Sequence, residues 1–389
     1  MAKPEIRLKG FEGEWDLCSF DSKDFSIVAG GDVDKKLLCD KGKYPVVANG
    51  LQNDGIVGYY ENSYRIKGPA VTVTGRGDVG FAQSRHYCFT PVVRLLSIRS
   101  CHDVDFLANS INRHKIVRES TGVPQLTAIQ LLRNSVYIPK SNKEESAIGG
   151  YFKSIDSLIN STTKKMASLR QMKSACLVSM FPQAGETTPC VRFKGFEGEW
   201  DRKQLSDCLD ISTERNLNNQ YNKDNVLSVS DDYGVMNQIE LLGRSYAGKS
   251  VSNYGILKHG ELVYTKSPLK SKPFGIVKEN TGETGIVSVL YAIYKVKEGY
   301  WIPYFHYYFD PAWRLNAYLR PLINKGAKNT MNISDETALT GYIMVPKDIN
   351  EQQRIASYFR SLDKQISLQE QRLEKLKQIK AACLDKMFV

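Results

Sequence analysis

Tyr151 to Phe181 reads YFKSIDSLINSTTKKMASLRQMKSACLVSMF, and Tyr358 to Phe388 reads YFRSLDKQISLQEQRLEKLKQIKAACLDKMF. Aligned without a gap, 13 of the 31 positions are identical. Neither copy contains Gly or Pro, and apolar residues recur at alternating steps of four and three. The seam runs Ile155, Ile159, Thr162, Met166, Leu169, Lys173, Cys176, Met180 in the first copy. In the second it runs Leu362, Ile366, Gln369, Leu373, Leu376, Lys380, Cys383, Met387. This heptad spacing predicts two long helices that pack along their length. Each is about 45 Å long at a rise of about 1.5 Å per residue. The polar seam residues fall at matching places, Thr162 with Gln369 and Lys173 with Lys380, where they can set the register. A duplicated helix packs most simply on its own duplicate; two independent surface helices are the other reading.

A second repeat precedes each helix. Pro4 to Asp16 reads PEIRLKGFEGEWD, and Pro189 to Asp201 reads PCVRFKGFEGEWD. The offset is 185 residues here and 207 between the helices, so the second copy carries 22 more residues between its shared ends. The chain is a tandem duplication: entry motif, body, long helix, then the same again. The bodies, Leu17 to Tyr137 and Arg202 to Met344, show little similarity. Shared ends with divergent middles suggest one scaffold that presents two different readers. The expected division is residues 1–140, a helix over 141–181, a Pro/Gly/Thr linker at 182–189, a second body over 190–346 and a helix over 347–389. The expected fold class is α+β: two α/β-type globular domains joined by two long antiparallel coiled-coil helices, with a pseudo-two-fold internal repeat. Ser141 with Glu144 has the spacing of a capping box at the first helix start. An antiparallel pair would bring Phe388 as close to Trp15 as Phe181 is to Trp200.

Formal net charge is +11 and the pI about 9.1, which favours an acidic partner such as nucleic acid. Eight cysteines show neither a CxxC pair nor regular spacing, as expected of a reduced, cytoplasmic protein rather than a disulfide framework. The lack of a long apolar run and of a secretory leader predicts a soluble chain.

Candidate DNA contacts cluster beside strand-like runs. Ala70-Val-Thr-Val-Thr leads into Gly75-Arg-Gly-Asp-Val-Gly80, a tight turn that holds Arg76 where it could meet a phosphate or a base edge. Gln83, Arg85 and His86 follow and add donors. In the second body, Thr265 to Gly275 is a loop with Lys266, Lys270 and Lys272 after the strand-like Gly260-Glu-Leu-Val-Tyr. Basic loops next to aromatics suit phosphate and base contacts. Gly243-Arg-Ser-Tyr-Ala-Gly-Lys-Ser250 satisfies GxxxxGK[ST] but lacks a buried strand before it and a sustained helix after it. Arg244, Tyr246 and Lys249 are therefore read as DNA contacts, with an NTPase site as the alternative. The turn arginine and the loop lysines are equally readable as solvated surface, and most tyrosines as sheet core. No HxxxH, GxSxG, GxGxxG or amino-methyltransferase tetrapeptide occurs.

The whole chain resembles the specificity subunit of type I restriction–modification systems. The resemblance rests on the entry motifs at Arg7 to Trp15 and Arg192 to Trp200 and on the junctions Val136-Tyr-Ile-Pro139 and Tyr342-Ile-Met-Val-Pro346. It also rests on Glu351-Gln-Gln-Arg-Ile-Ala, seen in degraded form at Glu144 to Ile148, and on the two YF-x-S-x-D helices that end in Met-Phe. It implies two target-recognition domains, each reading half of a split site in double-stranded DNA, and helices that pair antiparallel and dock two modification (methyltransferase) subunits. It implies no catalysis and no cofactor in this chain: S-adenosylmethionine chemistry belongs to the modification subunits, and ATP-dependent cleavage to a separate restriction subunit. A helix pair of the predicted length would space the half-sites by about five to eight base pairs, given about 34–36 Å per DNA turn. A coiled-coil interaction protein without DNA specificity is the remaining class; sequence-blind, salt-independent behaviour in a binding assay would mark it.

Overall fold

The computed structural model describes residues 2–114, 124–266, 272–325 and 331–389. The chain forms two compact units, Met1–Lys165 with Gln369–Val389, and Met166–Leu368. The division falls inside both long helices, so each unit owns one body and part of each helix.

In the first unit, β1 (Asp16–Ser19) follows the entry motif and pairs antiparallel with β6 (Ser135–Ile138), Asp16 opposite Ile138. The main sheet uses β2 (Phe25–Ala29), β3 (Ala70–Thr74), β4 (Ala82–Arg85) and β5 (Leu95–Ser100) in the antiparallel order β2-β5-β3-β4. Strand β3, Ala-Val-Thr-Val-Thr, is buried at every position, as β-branched residues in a central strand with both faces covered should be. Helix α1 (Val104–Arg113) starts at Asp103, whose carboxylate accepts from the N–H groups of Asp105 and Phe106, and it buries Phe106, Leu107 and Ile111. The first long helix, α2, spans Asn142–Ser179.

The second unit repeats this plan. Strand β7 (Asp201–Gln204) pairs antiparallel with β12 (Tyr342–Val345), Asp201 opposite Val345. Its sheet uses β8 (Leu209–Ile211), β9 (Leu262–Thr265), β10 (Ile276–Glu279) and β11 (Tyr291–Val296), ordered β8-β11-β9-β10. By position in the chain this is the order of the first sheet. The short helix α3 (Gln238–Leu242) lies before β9, α4 (Ile302–Phe309) stands where α1 does, and the second long helix, α5, spans Ile349–Met387. The bodies therefore share a topology that their sequences do not show. Cores tolerate wholesale apolar exchange if pattern and volume are kept, so topology outlasts identity.

Every seam position predicted on the two helices is buried or half-buried. Within the first unit, Tyr151 Oη lies 3.4 Å from Cys383 Sγ, and Lys380 Nζ lies 2.6 Å from Asp156 Oδ1. One number rises as the other falls, so the helix segments run antiparallel. Within the second unit the same pairs recur, Tyr358 Oη with Cys176 Sγ at 3.5 Å and Lys173 Nζ with Asp363 Oδ1 at 2.8 Å. The polar seam lysines thus reach equivalent aspartates across the pair.

The helices are 38 and 39 residues long, because each starts nine residues before the repeat that announces it. The added turns hold the frame together. Glu144, expected as a capping-box partner, instead turns its buried carboxylate to Arg7, which donates through Nε and Nη2, both at 2.7 Å. Glu351 receives Arg192 in the same way at 2.7 and 2.8 Å. The next residue ties the helix to its body: Glu145 accepts from the N–H of Asp103 at 3.0 Å and Gln352 from that of Trp301 at 3.1 Å. Asp103 and Trp301 are the N-caps of α1 and α4. Gly149 permits the close approach in the first unit, where a Cβ would stand 2.2 Å from Asp103 Oδ1.

Each unit closes on an aromatic cluster with three ring partners at matching places, to which Tyr308 adds a further ring 5.7 Å from Phe181 in the second. In the first, Phe388 lies 6.2 Å from Trp15, 5.3 Å from Phe106 and 5.5 Å from Phe152. In the second, Phe181 lies 6.3 Å from Trp200, 5.7 Å from Tyr304 and 6.0 Å from Phe359. The expected equality of the two Phe–Trp distances is met. Backbone bonds repeat as well: Ile6 N donates to Lys386 O at 2.9 Å, and Val191 N to Ser179 O at 2.8 Å. Both indole N–H groups, of Trp15 and Trp200, are buried without an acceptor among the described residues. In the second unit, residues 182–189 join helix end and entry motif covalently; in the first, the same contacts form between chain segments far apart in sequence.

Candidate nucleic-acid interface

The turn between β3 and β4 carries Arg76. Gly75 comes so close to the neighbouring backbone that a Cβ would stand 2.2 Å from Arg94 O, and its N–H donates to Asn49 Oδ1 at 2.9 Å. Gly77 and Gly80 adopt φ of 76° and 87°, a region that favours glycine. The turn is therefore fixed while Arg76 is exposed, and among the described residues its guanidinium has neither an ion pair nor a side-chain hydrogen bond. A rigid loop that offers a free guanidinium suits a bidentate acceptor, either phosphate or guanine.

The residues predicted beside it do different work. Arg85 is only 3% exposed. It donates to Thr72 Oγ1 at 3.1 Å, to Gln83 Oε1 at 2.8 Å and to Asp54 O at 2.8 Å. Gln83 Nε2 reaches Asp54 Oδ1 at 3.0 Å. Arg85 is thus a clamp that holds the turn at Asn53 and Asp54 against the sheet, and its burial corrects the expectation that it faces DNA. His86 is exposed, with Nε2 2.9 Å from Asp105 Oδ1 and 3.3 Å from Lys153 Nζ. Burial works against a charge on Asp105, but hydrogen bonds from Ser84 and His86 outweigh it and hold the carboxyl below its ordinary range.

In the second unit, Lys270 lies outside the described residues. Lys272 is buried: its ammonium donates to Asp231 Oδ1 at 2.6 Å and to Asp310 O at 2.9 Å. Asp310 also takes Lys278 at 2.8 Å and Lys173 at 3.2 Å. Burial opposes the charge of Asp310, yet these cations keep its carboxyl far below the ordinary range. Lys266 pairs with Asp335. Lys272 and Lys266 therefore serve the unit's internal charge network, which removes them from the free cations that the sequence reading expected there.

Gly243 to Ser250 sits elsewhere. Gly243, with φ of 75°, ends the five-residue helix α3, and Gln238 Oε1 accepts from Tyr246 N at 2.6 Å. The stretch follows a helix instead of joining a strand to one, so it lacks the geometry of a phosphate-cradling NTPase loop. Arg244, Tyr246 and Lys249 are all exposed, and the Arg244 guanidinium stacks 4.6 Å over the Tyr246 ring. This pair offers a planar cation on an aromatic face, which fits stacking or phosphate contact.

Sequence reasoning missed a polar cleft of about 450 Å³ in the first unit, lined by Lys23, Lys67 and Arg99. It opens at the end of β3 away from Arg76. Its cations come from three separate segments, so no local cluster announced it. Among the described residues no group of His, Cys, Asp and Glu is placed to hold a metal ion, and no helix is long and apolar enough to cross a membrane.

Residues 14–171 match the family model of the type I restriction modification DNA specificity domain. Two proteins of Mycoplasma pneumoniae named as type I specificity subunits are similar. One is 30% identical over 105 residues, covering 26% of this chain and 29% of its own length. The other is 26% identical over 110 residues, covering 27% and 32%. The chain thus aligns with about a third of the length of these relatives. The crystal structure of a type I restriction–modification S subunit from M. genitalium has the same fold, with a TM-score of 0.66 over 100% of this chain and 99% of that one at 12% identity. The likeness to that family is thus carried by residues 14–171, and the whole chain shares the fold of that S subunit.

Proposed function

We propose that this chain is the non-catalytic DNA-reading subunit of a type I restriction–modification complex, acting in the cytoplasm, with each body reading one half of a bipartite duplex target. The observation that carries this reading is the contrast inside the duplication. The two units repeat their frame contact by contact, while the surfaces of their bodies differ in every candidate DNA contact. A shared frame with two unlike surfaces is what a two-part address requires. Arg76 leads the first surface; Arg244, Tyr246 and Lys249 lead the second. The long helices present the docking side for two methyltransferase subunits, which bring the S-adenosylmethionine chemistry; a restriction subunit joins them.

The test is to map methylated bases in DNA from cells that carry this chain with its methyltransferase. Two short defined blocks around a nonspecific gap are expected. Exchange of Leu17 to Tyr137 for another body should change one block and leave the other intact. A continuous target, or a swap that alters both blocks, contradicts the reading.

A further inference from the structure

The last strand of each sheet is entered through a tight turn at the same register. In the first unit β5 begins opposite the end of β3, Leu95 facing Thr74. In the second, β11 begins opposite the end of β9, Tyr291 facing Thr265. One backbone bond closes each turn, Leu95 N to Val92 O and Tyr291 N to Ser288 O, both at 3.0 Å. The two middle residues are Val93 and Arg94 in the first unit and Val289 and Leu290 in the second. Arg94 and Leu290 therefore occupy one position of a shared frame, and the residue before each is valine.

The first turn holds its arginine in a backbone conformation that arginine resists. Arg94 has a φ of 71°, which glycine takes freely and a residue with a Cβ does not. Asn49 braces it: the side chain donates to Val93 O at 3.1 Å and accepts from Gly75 N at 2.9 Å, so the Arg94 turn and the Arg76 turn are tied together. Arg94 is exposed, and among the described residues its guanidinium has neither an ion pair nor a hydrogen bond. Nothing inside the chain calls for an arginine here; an acceptor outside it does. Val93 is exposed beside it, and Asp78 is exposed in the Arg76 turn. An apolar and an acidic neighbour disfavour a phosphate and suit a base edge. In the second turn Val289 and Leu290 are 59% and 61% exposed, and neither packs on its unit's core. Their side chains carry no donor, so the feature of a base edge that they suit is the methyl group of thymine.

We infer that this turn is a base-reading position in both bodies: Arg94 reads guanine through O6 and N7 in one half of the target, and Leu290, with Val289, reads the methyl group of thymine in the other. This rests on the proposed function and goes beyond it by assigning a base to each half. The frame is common to the two units and the side chain at this position is not, so exchange of one residue changes the base that is read while the turn stays as it is.

The test titrates the complex of the full chain and its methyltransferase subunit against duplexes that carry the mapped target, with body exchange telling which block belongs to which unit. Single bases are replaced by 7-deazaguanine, which lacks N7, or by uracil, which lacks the methyl group. For wild type, 7-deazaguanine at one place in the first unit's block should weaken binding about fivefold or more. Uracil at one place in the second unit's block should weaken it about threefold. Arg94→Gly relieves the backbone, so it should melt no lower than wild type, yet bind the natural target more weakly and become indifferent to 7-deazaguanine. Arg94→Lys keeps the charge but not the planar fork and should lose affinity as well. Leu290→Ala should become indifferent to uracil. A bipartite target on which these variants bind like wild type, or on which Arg94→Gly loses affinity equally for every sequence, overturns the base assignment and leaves the functional reading standing. A first block without a G·C pair, or a second without an A·T pair, does the same. Mapping that finds no bipartite target overturns the functional reading and this inference with it.

Discussion

Phe388 stands one residue from the end of the sequence, where chains usually fray, yet it is 3% exposed and touches Trp15, Phe106 and Phe152. Phe388→Ala removes one ring of four from a closed cluster. The transfer of a buried Phe contributes about 1.5–3 kcal/mol, and the cavity left among three fixed rings raises the loss to about 3–5 kcal/mol. Phe181→Ala is the matched control in the second unit. Phe181 is 0% exposed and lies under the Arg314 guanidinium at 4.7 Å, so its loss should be at least as large. Chemical denaturation gives the magnitudes, and residue-resolved amide exchange gives the place. In Phe388→Ala, exchange should accelerate around Trp15 and through α1 while Trp200 and α4 stay protected; Phe181→Ala should show the reverse. A loss under about 1 kcal/mol at Phe388, or acceleration at α4 in that variant, would refute the claim that the far end of the chain completes the first unit.

Other expectations follow from single groups. Arg7→Ala strands the buried Glu144 carboxylate and should cost about 3 kcal/mol; a double-mutant cycle with Glu144→Gln should return a coupling above about 1 kcal/mol, and one near zero means the pair holds nothing. Arg76→Ala should leave the melting curve unchanged and, if the contact is bidentate to guanine, cost about 1–3 kcal/mol at one base pair. A uniform loss across sequences with a salt slope lower by about one would mark a phosphate contact instead, and unchanged DNA binding would remove Arg76 from the interface. Burial, aided by Lys278, pushes the His306 imidazole down to about 3, and its Nδ1 accepts from Glu279 N at 3.0 Å. The unfolded chain takes that proton below about 6.5 and the folded chain does not. Stability should be full above about pH 6.5 and fall by a few kcal/mol as the pH drops toward 3, a slope that His306→Gln should flatten in denaturation curves.

The sequence alone determined the duplication, the two helices and their seams, because heptad spacing and repeated motifs are local signals that survive without coordinates; their antiparallel sense was only what the family resemblance implied, since a heptad seam serves either direction. It also marked Arg76, since three glycines around one arginine announce a fixed turn. It did not reveal that the two bodies share one sheet order, because buried strands ask only for apolar β-formers in alternation and keep no common spelling. It placed Arg85 and Lys272 on the surface, where charge usually lies; only the tertiary structure shows Thr72, Gln83 and Asp54 around the one and Asp231 and Asp310 around the other. The Arg7–Glu144 clamp joins residues 137 apart, and the cleft at Lys23, Lys67 and Arg99 draws on three separate segments. Such contacts depend on which side chains converge after the chain has folded, and convergence is decided by long-range packing that no local pattern of residues records.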